Sequence, residues 1–272
     1  MNAILAVATK EFQDGLRNRW FVSITAVFAI LSLGLSYYGA AASGGVGGAS
    51  LSSTIASLSS LAVFLIPLIA LLLSYDSFVG EQEAGTLLLL LTYPLSKGQL
   101  LLGKFVGQGA IITLATVLGF GSAAVMIGFQ SGFEGVFAAF GLFIVTATLL
   151  GLVFISVSYV ISIAVNEKSK AAGIALLVWF FFVLVFDLAV LAALVGVEDG
   201  LTQQGLVNVM MFNPADVFRL INLAALDSGD VNGVIAVAIN SSQSFTVLMT
   251  IMVAWIAVPL SVARFVFANK KL

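Results

Sequence analysis

The sequence predicts an all-α membrane protein with six transmembrane helices and both termini on the cytoplasmic side. Three observations predict it. The 272 residues are 61% hydrophobic and only 9% charged, with a mean hydropathy of +1.15; a soluble domain carries about 25% charged residues. The apolar runs are continuous and about 20 residues long, the length of a spanning helix, whereas barrel strands alternate over about ten. And of the 11 Lys and Arg, all but Arg219 fall on one side of the predicted bilayer, which the positive-inside rule makes cytoplasmic. In lipid every backbone N–H and C=O needs an internal partner, so continuous runs of this length become helices.

The elements follow in order along a single transmembrane domain, 1–272. Residues 1–19 form an amphipathic helix. Ile4, Leu5, Ala8, Phe12, Leu16 and Trp20 share a face, with Lys10, Asp14 and Arg17 opposite, as in a helix lying in the cytoplasmic interface. The stretch from Trp20 to Ala42 is the first span, read as retained because no small-residue cleavage site follows it. Ile55 to Tyr75 is the second, Phe105 to Phe129 the third, Val136 to Val165 the fourth, Ala171 to Val195 the fifth and Phe245 to Phe267 the last.

Two segments outside these spans carry information. In 76–104, the acids Asp76, Glu81 and Glu83 precede Gly85-Thr86 and the run Leu87 to Leu91, which is too short to cross a bilayer. Pro94 breaks the chain, and Ser96 with Gln99 forms a capping box that starts a helix running into span three. The leucines either meet a protein partner or pack on the bundle's own end. Gly98 to Lys104 fits seven positions of a phosphate loop, but Phe105 stands where Ser or Thr would hold magnesium. No strand precedes it, so any ATP is bound elsewhere. In 196–244, Asn213 and Pro214 read as N-cap and N1 of a fresh helix after the apolar stretch Leu206 to Phe212. The result is a broken, re-entrant-like segment before the last span.

The chain has no Cys and no His. That removes disulfides, thiolate metal sites, His-ligated haem and Ser-His-Asp or Cys-His catalysis. Asp187 is the acid well inside a span; charge at that depth is costly and marks either a structural pair or a path. Met249 and Met252, three apart on one helix, and Met210-Met211 have the thioether that suits Cu(I), but Met is also ordinary apolar packing. Gly103, Gly107, Gly119 and Gly121 along span three permit close helix approach.

The whole chain resembles the ABC-2 type transporter permeases. The residues that carry this are Lys10-Glu11, the 76–104 pattern with Gly85-Thr86, Pro94, Lys97 and Gly103-Lys104-Phe105, and the break at Asn213-Pro214. Four stretches are similar to the permeases of the system that matures nitrous-oxide reductase: Arg17 to Trp20, Ala40 to Gly44, Pro67 to Leu73 and Asn213 to Leu220.

The resemblance implies a multi-pass permease of the bacterial inner membrane that is no enzyme and binds no cofactor itself, ATP and Mg belonging to a separate ATPase subunit. It implies pairing with a second copy. A cytoplasmic coupling helix would be formed by Glu81, Glu83, Gly85, Thr86, Leu87, Leu88 and Leu90. A periplasmic β-helical partner of the NosD type would meet Asn213, Pro214, Asp216 and Arg219. Asp187, Met249 and Met252 become candidates for a translocation path, and copper or sulfur delivery the task. The competing classes are an exporter of lipid or another hydrophobic substrate, and an ion-coupled secondary transporter, which would need midplane ionisable groups and paired broken spans.

Overall fold

A computed structural model describes residues 3–17, 20–42, 51–196, 203–224 and 244–271. Arg19, Ser43-Gly44 and residues 197–202 and 225–243 of the 196–244 segment lie outside them. Among the described residues the chain is helices joined by short turns, with no strand. In order the helices are α1 (Ala3–Arg17), α2 (Trp20–Ala42), α3 (Leu51–Ser74), α4 (Val79–Glu83), α5 (Thr86–Leu90), α6 (Lys97–Ser131), α7 (Val136–Ala164), α8 (Lys168–Phe180), a π-turn (Phe181–Val185), α9 (Phe186–Gly196), α10 (Gln203–Met210), α11 (Pro214–Ala224) and α12 (Phe245–Asn269). Five helices or helix runs are long and apolar enough to cross a membrane, six if the bent pair α1–α2 makes one.

α7 is the centre of the bundle, packing on α3, α6 and α12. Its buried Phe143, Phe154 and Tyr159 meet Phe120, Phe182 and Phe78 in edge-to-face pairs. Lipid supplies no hydrophobic drive between helices, so close packing and polar glue hold the bundle. Ser32 donates to the Gly119 carbonyl at 3.0 Å, Thr116 and Thr148 pair at 3.0 Å, and Asn222 donates to Thr146 at 2.9 Å. Such bonds contribute about 0.6 kcal/mol each in a membrane. Pro67 interrupts the ladder of α3, and beside that break the Trp179 indole of α8 donates to the Phe64 carbonyl at 3.0 Å.

α6 begins where the capping box predicts. The Ser96 side chain accepts from the Gln99 N–H, and the Gln99 side chain accepts from the Ser96 N–H. The helix has 35 residues, about 52 Å at 1.5 Å each, so it overshoots a 30 Å hydrocarbon core by several turns. The overshoot is where α1 packs. A Cβ on Gly103 would sit 2.6 Å from Val7 Cβ, and one on Gly107 2.7 Å from the Ala8 carbonyl oxygen. Gly119 makes the same kind of room for Phe28, while Gly121 faces open space. Gly107→Val therefore separates α1 from α6, at about 2 kcal/mol from overpacking. A cysteine placed at Ala8, which is 7% exposed, should become reactive to maleimide in that background; unchanged protection would refute the tight crossing.

The alternation of spans brings α1, α4, α5 and the end of α12 to one end of the bundle. Lys97 donates to the Lys270 carbonyl at 2.9 Å, and Lys270 to the Ile163 carbonyl at 2.7 Å. These cations sit on helix C-termini, where the dipole favours them; burial lowers the Lys270 pKa from its usual value.

Candidate functional site

The hairpin end is the first of two polar clusters. α4 and α5 are each five residues, too short to be stable alone, and are held by bonds to their surroundings. Ser162 of α7 accepts the N–H groups of both Phe78 and Val79 at 3.1 Å. Glu81 accepts from Lys104 at 2.8 Å, and Glu11 of α1 accepts from the same ammonium at 2.8 Å. The Lys104 side chain is 3% exposed. Gln108, one turn on, donates to Ser77 at 2.7 Å and accepts from the Tyr159 hydroxyl at 3.0 Å. On the other flank Glu83 accepts from the Lys168 N–H at 2.7 Å, placing a carboxylate on the N-terminus of α8, and Asp76 pairs with the Lys168 ammonium at 2.8 Å. α4 is thus tied to α1, α6, α7 and α8 at once. Between them lies an open polar cleft of about 390 Å³, lined by residues including Asp14, Asp76, Thr86, Lys104 and Lys168.

Gly85 turns the chain from α4 into α5 at φ +71°, a left-handed conformation that suits Gly; Thr86 donates across the turn to the Glu81 carbonyl at 3.2 Å. The turn fixes which leucines face out. Leu87 is buried at 2% exposed, and Leu90 packs on the core. Leu88 and Leu89 are 56% and 64% exposed, joined by Tyr93 at 67%. Of the two alternatives left open for the leucine run, packing on the bundle holds for Leu87 and Leu90, and exposure to a partner is open to Leu88. Leu87 and Leu90 anchor the hairpin, and Leu88, Leu89 and Tyr93 make the exposed face. Glu81 and the exposed Glu83 each give an oxygen to the bundle, Glu81 to Lys104 and Glu83 to the Lys168 N–H of α8, and so fasten the hairpin. The phosphate-loop look-alike 98–105 is continuous helix, with Lys104 engaged in its ion pairs.

The second cluster lies toward the other end, where α10 and α11 meet. Asn213 caps α11 as predicted, its side-chain oxygen accepting from the Ala215 N–H at 3.0 Å. Its amide donates to the Phe182 carbonyl at 2.9 Å and to Asp216 at 3.0 Å. Arg219 donates to Asp187 at 2.7 Å and to Asp216 at 2.9 Å. α11 has 11 residues, about 16 Å, too short to cross, yet nearly all of it is buried against α3, α7 and α12. Burial, and then the charge of Asp187, hold the Asp216 carboxyl up at about 7, against the pull of Arg219.

The π-turn explains how Asp187 comes to face α11. A π-turn takes one residue more than an α-turn, which rotates everything beyond it by about 100°. Nothing in Phe181-Phe182-Val183-Leu184-Val185 announced it.

The placement of Asn213, Pro214 and Asp216 corrects their expected role on a partner surface: all three are buried within the chain, and their polar atoms are bonded there. Phe212, 72% exposed at the turn, is the outward residue of this corner. Of the path candidates, Asp187 is paired to Arg219. Met252 is fully buried and Met249 packs beside it on the core. Among the described residues, no group of three or more His, Cys, Asp or Glu is arranged to hold a metal ion.

Comparison with known proteins agrees with this architecture. A model of the ABC-2 family transporter proteins matches residues 5–272. The chain is 51% identical over 276 residues to the probable ABC transporter permease protein NosY of Stutzerimonas stutzeri, covering 99% of each. It is 49% identical over 273 residues to the protein of the same description from Pseudomonas aeruginosa, again covering 99% of each. Matched over essentially its whole length by the family and by these two relatives, this multi-pass membrane protein belongs to the ABC-2 family of ABC transporter permeases.

Proposed function

We propose that this chain is the membrane-embedded half of an ATP-driven machine of the bacterial inner membrane, working as a pair of copies with a separate ATPase seated on each hairpin. The hairpin end then faces the cytoplasm, as the distribution of Lys and Arg requires. The observation that carries the reading is the two-sidedness of α5. Leu88, Leu89 and Tyr93 are exposed to solvent at the end of the bundle, while Leu87 and the Glu81–Lys104–Glu11 trio fasten the other side to the spans. A partner that grips the outer face moves α4, and through it α1, α6, α7 and α8 together.

At the opposite face a β-helical periplasmic protein of the NosD type is the expected partner, and copper or sulfur delivery to nitrous-oxide reductase the task served. Similarity to the NosY relatives and the four stretches named above support this. The chain's own chemistry favours transmitting motion over carrying the metal, since Met210, Met211, Met249 and Met252 are packed in or against the core rather than gathered around a site.

The test is co-purification. Leu88→Asp with Leu89→Asp changes exposed side chains, so the bundle should stay folded within about 0.5 kcal/mol, while the ATPase subunit is lost from the purified complex. Leu87→Asp, which puts a charge in the core, should unfold the hairpin instead. Retention of the ATPase by the exposed double variant, with the fold intact, would sink the reading.

A further inference from the structure

An open apolar groove of about 590 Å³ runs along the side of α6, walled by Phe12 of α1 and Leu152 of α7 and floored by Val106, Gly109, Ala110 and Leu114. We infer that it holds the acyl tail of a phospholipid.

Three observations select that occupant. The groove extends along α6 from Phe105 to Val117, about 18 Å at 1.5 Å per residue, close to the ~15 Å depth of one leaflet's hydrocarbon. It carries no charge, and the hydroxyl of Thr113 in its lining already donates to the Gly109 carbonyl at 2.7 Å, so it asks for neutral hydrocarbon and offers a polar partner nothing. Its Phe12 wall continues into Leu5 and Leu16, which are 58% and 37% exposed on the same face of α1; that stripe meets the bilayer.

The small side of Gly109 and Ala110 keeps the floor low: a Cβ on Gly109 would already stand 2.8 Å from Leu152 Cδ2. A tail seated there fills the space between α1 and the bundle and braces the helix that brings Glu11 to Lys104.

The absence of cysteine from the chain makes the test clean. Leu114→Cys, inside the groove, and Val125→Cys, 47% exposed on the same helix but outside it, are each labelled with bimane. Each protein is placed in nanodiscs of phosphatidylcholine with brominated tails and then moved into detergent. A resident tail leaves residual quenching at position 114 and none at 125, and adding Ala110→Phe to the Leu114→Cys chain abolishes it. Equal quenching at both positions after transfer, or none at either, overturns the proposal. So does a disulfide between two unlabelled Leu114→Cys chains, which would make the groove a contact between copies.

Discussion

Replacing Lys104 by Met costs this fold about 3–5 kcal/mol, the range for removing one partner of a buried ion pair. The ammonium is 3% exposed and holds two carboxylate oxygens, of Glu11 and Glu81, each at 2.8 Å. Without it those oxygens, at most twice that distance apart, face each other at the junction of α1, α4 and α6. At an effective dielectric of about 20 the repulsion at ~5.6 Å is about 3 kcal/mol. Exposures of 13% and 19% for the two acids leave them little water to relax into, and Glu81 Oε2 is already buried with no hydrogen-bond partner. Neutralising both acids in the same chain, with Glu11→Gln and Glu81→Gln, should recover most of the loss. A melt of the purified chain decides it: if Lys104→Met melts with the wild type, the trio does not fasten the hairpin. In the proposed complex the single variant also uncouples ATP hydrolysis from movement of the spans, because α4 no longer moves with α6.

The spans were legible because lipid allows few alternatives: composition and run length settle where helices must be, and α2, α3, α7 and α12 start or end within a few residues of the apolar runs. The two helix starts read from single residues, Ser96 and Asn213, were legible because capping is local. What stayed hidden is non-local or depends on phase. Lys104 meets Glu11 across 93 positions and Asp187 meets Arg219 across 32, separations at which no spacing rule applies. Lone charges in apolar runs did carry a usable signal, since each demands a partner, and matching Asp187 to Arg219 on that ground would have moved Arg219 off the expected partner surface. Which leucines face outward was not legible because the left-handed Gly85 resets the helical phase between α4 and α5, so the outward positions are Leu88 and Leu89. The π-turn has no sequence signature here, and with it goes the facing of Asp187.

Arg219→Met should be far more damaging than Asp187→Asn, and the asymmetry separates a structural clip from a cation path. Arg219 serves two acids, one of them, Asp216, with only 3% of its side chain exposed. Removing the cation leaves Asp216 at the heart of α11 as the neutral acid near pH 7 and strands a buried charge as pH rises, a cost that grows by about 1.4 kcal/mol per pH unit toward the 3 kcal/mol or so of a broken buried pair. Asp187 is 35% exposed, so its pair is partly screened, and its loss leaves Arg219 still bonded to Asp216; that variant costs about 1 kcal/mol or less. The sign of the pH dependence gives a second check. The folded state already holds the Asp216 carboxyl up at about 7, from an ordinary value of 3.8. A raised acid favours the folded state at low pH and withdraws that support as pH climbs to the folded value. Without Arg219 the folded value rises further, so the gap between Arg219→Met and wild type should widen above pH 7 and narrow below it. Neutralising all three positions together, with Asp187→Asn, Asp216→Asn and Arg219→Met, should recover stability. Loss of the proposed role in reductase maturation in Asp187→Asn, with melting and assembly unchanged, would reverse the assignment, making Asp187 a carrier of cargo and Arg219 its counter-ion.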